Sequence, residues 1–244
     1  MGDSVTFGHG QPLEATFVRK LERRLARRLP RVEVLNAGIP GWSTHQERLF
    51  YERYADDLDP DVVLVGFVLN DVTEIHRGLL EVGLKTGMRM IRVLNWLAEH
   101  SSTGALAKTA YAKSLDPRLR ELRAGADLVY RSDEPAVRLA MSQTIEEFRK
   151  LAQATRAHGD RFGVVLFPFR FQLQKQHLDL PQRQIADFCS TEKIAVLDTL
   201  PHLRRYDASV VLMDHDHFTA VGHRVVADLV EKWLYQTGLL DVPR

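Results

Sequence analysis

The chain has 244 residues, 45% of them hydrophobic and 27% charged, which is enough to bury a full core and excludes wholesale disorder. Its 33 Lys and Arg residues nearly balance its 32 Asp and Glu residues, so the cationic surplus of a dedicated nucleic-acid binder is missing. The single cysteine, Cys189, excludes an internal disulfide framework and a multi-cysteine zinc site. We find no signal-like start and no apolar run of about 20 residues that would span a bilayer. The sequence therefore reads as a soluble protein, and its cellular location stays open.

Hydrophobic periodicity predicts the elements of the first half of the chain. They are a basic amphipathic helix, a short strand, a second helix and an apolar strand, at about 14–29, 32–36, 44–57 and 62–69. Thr44 is the expected N-cap of the second helix. The strand at 62–69 has almost no polar residue, which is typical of strands covered by helices on both faces.

The second half of the chain continues the alternation. A helix, a strand, a helix, a strand and a final helix are predicted at about 134–158, 162–167, 181–191, 194–198 and 220–236. Strands that alternate with helices indicate an α/β protein with a doubly wound parallel sheet. Because no repeat or linker divides the chain, we expect a single domain over residues 1–244.

Residues 72–132 do not fit this alternation. About sixty residues exceed an ordinary connection, and an amphipathic stretch runs through Met88, Ile91, Leu94 and Leu97, so we predict a helical insertion. Insertions at the carboxyl ends of parallel strands flank the ligand crevice, and we expect this one to border the active site. The alternative is a packing element that does not contact substrate.

Polar residues that follow predicted strands or precede predicted helices are the candidates for chemistry, because ligands bind at that edge of such sheets. Four short segments qualify: residues 2–5, 36–38, 70–71 and 214–217. A serine hydroxyl becomes a nucleophile when an imidazole takes its proton and a carboxylate orients that imidazole. Ser4, His217 and Asp214 supply these groups, and the spacing of Asp214 and His217 lets both side chains project from one turn.

An acyl-transfer site also needs donors for the negative charge that develops on the substrate oxygen. The candidates are the Ser4 amide, the Gly38 amide and the side-chain amide of Asn70. Glycine at position 38 permits a close approach of the backbone. Each feature alone is weak, but their common order along the chain favours a hydrolase.

This ordered set resembles the SGNH hydrolase superfamily, also called GDSL esterases and lipases. The resemblance rests on four blocks along the chain: Gly2-Asp3-Ser4, Gly38, Asn70-Asp71, and Asp214-x-x-His217 with Thr219 and Gly222 after it. It implies a three-layer α/β/α, flavodoxin-like fold with about five parallel strands. It further implies a Ser4–His217–Asp214 triad, an oxyanion hole of Ser4, Gly38 and Asn70, and no metal or other cofactor. Family members hydrolyse or transfer acyl groups on small esters, lipids and acetylated sugars.

The sequence departs from the family pattern at two places in these blocks. Val5 stands in place of leucine, and Val68 stands where the family usually has glycine, two residues before Asn70. The second departure affects the backbone shape around the oxyanion hole. The run 214–217 also leaves a choice of partners, and we favour Asp214 with His217 because of Thr219 and Gly222.

A third departure concerns the first strand. A nucleophile at the carboxyl end of a strand needs a strand before it, yet only three residues precede Ser4. In the family's sheet order, 2-1-3-4-5, its absence would leave a gap of about 9–10 Å between neighbouring strands. We expect that this chain begins late and that its first strand is missing.

Three other functions stay open. An O-acyltransferase that passes an acyl group to a sugar would use the same triad. A metal-dependent phosphoesterase would use the carboxylate, amide and imidazole groups of Asp3, Asn70, Asp71, His215 and His217. The third alternative is an inactive binding module that keeps the fold.

Overall fold

The computed structural model describes residues 1–75, 96, 100–103, 106, 125–126, 128–175 and 177–241. Three strands are described: β1 (Val62–Phe67), β2 (Arg161–Leu166) and β3 (Ala195–Asp198). The helices of the amino-terminal part are α1 (Ser4–Phe7), α2 (Phe17–Leu25), α3 (Thr44–Leu58) and α4 (Leu69–Ile75). Those of the remainder are α5 (Pro135–His158), α6 (Arg170–Gln174), α7 (Leu180–Thr191), α8 (Leu200–Leu203), α9 (Ala208–Val211) and α10 (Ala220–Gln236).

The sheet is parallel, with the strands in the order β1-β2-β3. The register pairs Val65 with Val164, and Val164 in turn with Val196. The predicted apolar strand ends two residues early, because Leu69 already begins helix α4. This sharp transition from strand to helix delivers Asn70 to the carboxyl edge of the sheet.

The amino-terminal residues extend this sheet beyond β1. Gly2 forms parallel bridges with Gly66 on one side and with Gly38 on the other. The main chain of Met1 is bonded in the same register, because its carbonyl accepts the Gly66 N–H at 3.0 Å. Residues 38, 2 and 66 thus occupy neighbouring positions, in the order 2-1-3 of the family's sheet.

The prediction of a strand at 32–36 is wrong: these residues form no ladder in the described structure. A ladder requires a backbone alongside, and the short segment before Ser4 reaches only Gly38. Val32, Val34 and Leu64 of β1 line a common cavity of about 450 Å³. The proposal that the chain begins late stays a prediction.

Helices cover both faces of the sheet. On one face α2 packs against α10, and Phe17 of α2 lies edge-on to Phe167, with ring centroids 5.6 Å apart. On the other face α3 and α7 flank α5, and Phe148 of α5 lies 5.7 Å from Phe67 of β1. The result is the three-layer α/β/α arrangement that the family resemblance implies.

Two helix starts differ from their predictions. The basic helix expected from residue 14 begins at Phe17, because the Thr16 side chain accepts the N–H of Arg19 and caps it. Helix α3 is capped by Ser43 rather than by Thr44, and the Gln46 side chain accepts the Ser43 N–H at 3.1 Å. In both helices the cap is the residue whose backbone is still extended.

The predicted insertion at 72–132 lies largely outside the described residues. Within the described part of the chain, no helix combines the length and apolar character needed to cross a bilayer.

His223 of α10 makes the stability of the fold depend on pH. Burial lowers its pKa to about 4, and its Nδ1 accepts the Phe17 N–H at 3.1 Å, which requires an unprotonated Nδ1. In the unfolded chain this histidine binds a proton near pH 6.5, whereas in the folded protein it stays neutral until the pH approaches 4. We therefore expect the free energy of unfolding to fall by up to about 3 kcal/mol between pH 6.5 and pH 4 through this residue.

Urea unfolding of wild type and His223→Gln across this pH range measures that contribution. The variant should lose less stability on acidification than wild type. His158→Gln is the matched control. The hydrogen bond to Asp160 raises the pKa of His158, so the stability that His158 contributes changes with pH in the opposite direction. Parallel wild-type and His223→Gln curves would contradict the assignment.

Candidate active site

Ser4 is the first residue of helix α1, directly after the bridge at Gly2. Asp3 caps this helix, since its Oδ1 accepts the Val5 N–H at 2.9 Å. The Asp3 side chain is fully buried, whereas Ser4 is partly exposed. The sequence Gly-Asp-Ser thus makes a sharp turn from the sheet into a helix and presents the hydroxyl at the sheet's carboxyl edge.

His217 and Asp214 lie in the loop before α10. This loop is closed by an antiparallel bridge between Leu212 and Phe218, and the Met213 N–H donates to the His217 carbonyl at 2.9 Å. Asp214 Oδ1 accepts the His217 N–H at 2.9 Å, and its Oδ2 lies 2.7 Å from His217 Nδ1. The carboxylate therefore fixes both the backbone and the ring of the same histidine.

The structure brings the two ends of the chain together at this point. His217 Nε2 lies 2.9 Å from Ser4 Oγ, a hydrogen-bond distance between residues 213 positions apart. With a proton on Nδ1 facing Asp214, Nε2 is free to accept the serine proton. The three residues that sequence analysis singled out are thus in one line of hydrogen bonds.

The charges around His217 favour its protonated form. Burial by itself lowers the pKa of His217, but the hydrogen bond to Asp214 and the charges of Asp216 and Asp3 outweigh it, so the pKa is raised above its ordinary value. Burial raises the pKa of Asp214, and the hydrogen bonds from His217 more than reverse this, leaving it well below its usual range. Asp214 is therefore ionised at every working pH.

Asn70 lies in the first turn of α4 with only 2% of its surface exposed. Its side-chain amide donates to Asp3 Oδ2 at 2.8 Å, which ties α4 to the residue before Ser4. Asp71 has a structural position, because its Oδ2 accepts the Val68 N–H at 2.9 Å and closes the turn between β1 and α4. Valine at 68 is accommodated in the core, where it is fully buried.

Gly38 lies against α1, where a Cβ would collide with the backbone of Thr6 and Phe7. Its amide hydrogen is donated to Asn36 Oδ1 at 3.0 Å, while Asn36 Nδ2 donates to the Thr6 carbonyl at 3.2 Å. Glycine at this position is thus required for close packing. The structure places Gly38 beside the nucleophile's helix but gives its N–H to a side chain rather than to the open site.

Two histidines and a second carboxylate surround the ring of His217. His9 lies with its ring centroid 4.8 Å from that of His217. Asp216, the other carboxylate of the run 214–217, lies with Oδ1 3.1 Å from His217 Nδ1. His215 Nε2 is 3.3 Å from the same oxygen. No sequence signal distinguishes Asp216 from an exposed loop residue, because its burial depends on the fold.

The residues predicted for a metal-dependent phosphoesterase do not form one cluster. Asp3 and Asn70 bond to each other, and Asp71 bonds to the backbone of its own turn. Among the described residues, the group whose ligand atoms all lie within 4.8 Å of one another is Asp214, Asp216 and His217. Only one member of that group belongs to the predicted set.

Several solved structures share this fold over nearly the whole chain. TesA covers 97% of this chain and 96% of its own, with a TM-score of 0.61 and 14% identity. The acetyl xylan esterase AlAXEase covers 95% and 96%, with a TM-score of 0.58 and 14% identity. A catalytic mutant of Axe2, an acetylxylan esterase from Geobacillus stearothermophilus, covers 96% and 91%, with a TM-score of 0.57 and 16% identity. No curated protein matches the sequence.

Residues 1–188 match the GDSL-like Lipase/Acylhydrolase family. The matched segment contains Ser4, Gly38 and Asn70, and it ends before Asp214 and His217. Three quarters of the chain thus carry the family pattern, on a fold shared with solved esterases. The chain belongs to the GDSL-like lipase/acylhydrolase family and is by that membership a carboxylic ester hydrolase.

Proposed function

We propose that Ser4, His217 and Asp214 form the catalytic triad of this esterase and that the reaction passes through an acyl-enzyme on Ser4. The observation that carries the proposal is the unbroken line from Ser4 Oγ to His217 Nε2 at 2.9 Å and from His217 Nδ1 to Asp214 Oδ2 at 2.7 Å. These are the contacts that a general base and its orienting carboxylate need.

In this mechanism His217 removes the proton of Ser4 as the hydroxyl attacks the ester carbonyl. The proton then passes from His217 to the departing alcohol, and the acyl group remains on Ser4. A water molecule, activated by the same histidine, releases the acid and restores the serine. Asp214 keeps its charge throughout and stabilises the imidazolium that forms in each half of the reaction.

For the developing oxyanion we propose the Ser4 N–H and the Asn70 side chain as donors. Ser4 is the first residue of α1, so its amide has no partner within that helix. Asn70 lies in the first turn of α4, and its side-chain amide donates to Asp3 Oδ2 at 2.8 Å, which places this donor group next to the residue before Ser4. Gly38 stays a candidate only if substrate displaces its bond to Asn36.

We propose esters of short acyl groups, including O-acetylated carbohydrate, as the substrate class. Two of the similar structures are acetyl xylan esterases, which favours this class over long-chain lipids. A series of p-nitrophenyl esters of increasing acyl length, assayed beside acetylated xylan, tests it. We expect the highest kcat/KM for acetate, and a maximum at long acyl chains would contradict the proposal.

The test of the mechanism is covalent labelling by a fluorophosphonate. Wild type is expected to gain one label on Ser4, found by peptide mass analysis, with loss of activity in proportion to labelling. Heat-unfolded protein and Ser4→Ala should stay unlabelled. Labelling of another serine, or full activity in the labelled protein, would refute the triad.

Chelation distinguishes this mechanism from a metal-dependent one. The metal-dependent alternative is specific, because Asp214, Asp216 and His217 lie close enough together to hold an ion. We expect dialysis against EDTA to leave ester hydrolysis unchanged. Loss of activity that zinc or manganese restores would favour the phosphoesterase, and hydrolysis of p-nitrophenyl phosphate should then appear as well.

A further inference from the structure

The ring of His217 faces two carboxylates through the same nitrogen. Its Nδ1 lies 2.7 Å from Asp214 Oδ2 and 3.1 Å from Asp216 Oδ1. The side chain of Asp214 is 34% exposed, whereas that of Asp216 is entirely buried. Water screens the buried charge of Asp216 less than the partly exposed charge of Asp214. The electrostatic effect of Asp216 on the ring is therefore strong despite the longer distance.

The position of Asp216 is fixed from its other side. Its Oδ1 also lies 3.3 Å from His215 Nε2, so one oxygen faces two imidazoles. The ring of His215 meets Phe169 edge-on at 5.6 Å, and its carbonyl accepts the Arg170 N–H at 2.7 Å. The carboxylate is therefore held by a loop that is anchored to the segment after β2.

We propose that Asp216 is a positioning residue whose buried carboxylate faces His217 Nδ1 beside Asp214 and, through its charge, stabilises the imidazolium formed when Ser4 gives up its proton. This inference rests on the proposed triad and adds a second carboxylate to it. The Nδ1 proton stays on His217 throughout, and only the Ser4 proton moves, to Nε2. Asp216 thereby raises the pH below which the enzyme loses its general base.

Several charged or titratable groups face His217 from the neighbouring elements. They are Asp214, His215 and Asp216 of its own loop, Asp3 before α1, His9 after α1, and His223 of α10. Because Asp3 and Asp214 remain when Asp216 is neutralised, the expected change is partial. It should lower the pKa of His217 without abolishing catalysis.

The pH dependence of kcat/KM for p-nitrophenyl acetate tests this role with Asp216→Asn. We expect the acid limb to move to lower pH by about one unit, the size of effect that one nearby opposite charge exerts. The rate on the alkaline plateau should fall less than tenfold. The same shift should appear in the ring-proton NMR titration of His217, measured in Ser4→Ala protein with and without Asp216→Asn.

Asp56→Asn is the matched control, since Asp56 lies 3.4 Å from the ring of His158 but is exposed and outside the site. It should leave the pH profile unchanged. An acid limb of Asp216→Asn that coincides with wild type would overturn the inference while leaving the triad intact. If wild type neither hydrolyses esters nor takes the fluorophosphonate, the proposed function itself fails.

A second variant covers the case in which Asp216→Asn does not fold. In Asp214→Ala the carboxylate of Asp216 still faces Nδ1, so we expect a loss in kcat of about a hundredfold. Where a triad depends on one carboxylate, the loss is about ten-thousandfold. A ten-thousandfold loss in an Asp214→Ala protein that keeps the wild-type melting temperature would show that Asp216 contributes nothing.

Discussion

Replacing Ser4 with alanine is expected to lower kcat for p-nitrophenyl acetate by about a thousandfold or more. The substitution removes the oxygen that lies 2.9 Å from His217 Nε2 and leaves no atom on which an acyl-enzyme can form. Because the serine is partly exposed and its helix is capped by Asp3, the melting temperature should change little. Steady-state kinetics together with thermal melting measure both quantities.

Ser142→Ala is the matched control for this substitution. Ser142 is an exposed serine on α5 whose hydroxyl bonds only to its own helix, at the Leu139 carbonyl. Its loss should leave kcat within twofold of wild type. A Ser4→Ala enzyme that keeps more than a tenth of the activity would rule out Ser4 as the nucleophile.

His217→Ala should match the loss seen in Ser4→Ala, and the double variant should be little worse than either single one. Residues that act as one unit lose their function together, so their effects do not add. Additive losses in the double variant would indicate two independent contributions and would count against a shared proton transfer.

Asn70→Ala is expected to reduce kcat by about 10²–10³-fold, which corresponds to about 2.7–4 kcal/mol in the barrier, with a smaller change in KM. A donor to the oxyanion acts mainly in the transition state, when the charge on the carbonyl oxygen is greatest. The substitution also removes the amide that bonds to the fully buried Asp3, so a loss of stability accompanies it.

Thermal melting separates these two effects of Asn70. Thr144→Ala serves as the control, because it also removes a buried polar group, bonded to the Ala140 carbonyl within α5. It should lower the melting temperature while leaving kcat unchanged. An Asn70→Ala enzyme that loses stability but keeps kcat would show that Asn70 supports Asp3 and is not an oxyanion donor.

Much of the fold could be predicted because its elements are locally encoded. The apolar run of β1 and the periodic pattern of α5 are visible in the sequence and predict these elements. The final helix spans residues 220–236 in both prediction and structure. The segment at 32–36 could not be read in this way. Its residues favour a strand, but a strand also needs a neighbouring backbone, and only Gly38 finds one at Gly2.

In the candidate site too, some residues could be predicted from the sequence and others could not. Ser4, Asn70 and the pair Asp214 and His217 could be selected because each lies where a strand ends or a helix starts. The direction of the Gly38 N–H could not, because it depends on a side-chain oxygen two residues earlier. The role that we infer for Asp216 also comes from folding, which buries this carboxylate between two imidazoles.

The extent of the single domain and the place of residues 72–132 stay predictions. Helix α4, whose last residues open this segment, begins directly after β1.

The nucleophile's helix packs closely on the sheet because glycine occupies the contact positions. Where Gly2 and Gly66 meet, the Thr6 side chain fills the space that their Cβ atoms would take, and Gly38 admits the backbone of the same turn. The height of the reactive hydroxyl above the sheet is therefore set by the main chain and the small Thr6 side chain. Substitutions among large core residues that do not touch these positions should therefore leave the hydroxyl, and with it the catalytic geometry, in place.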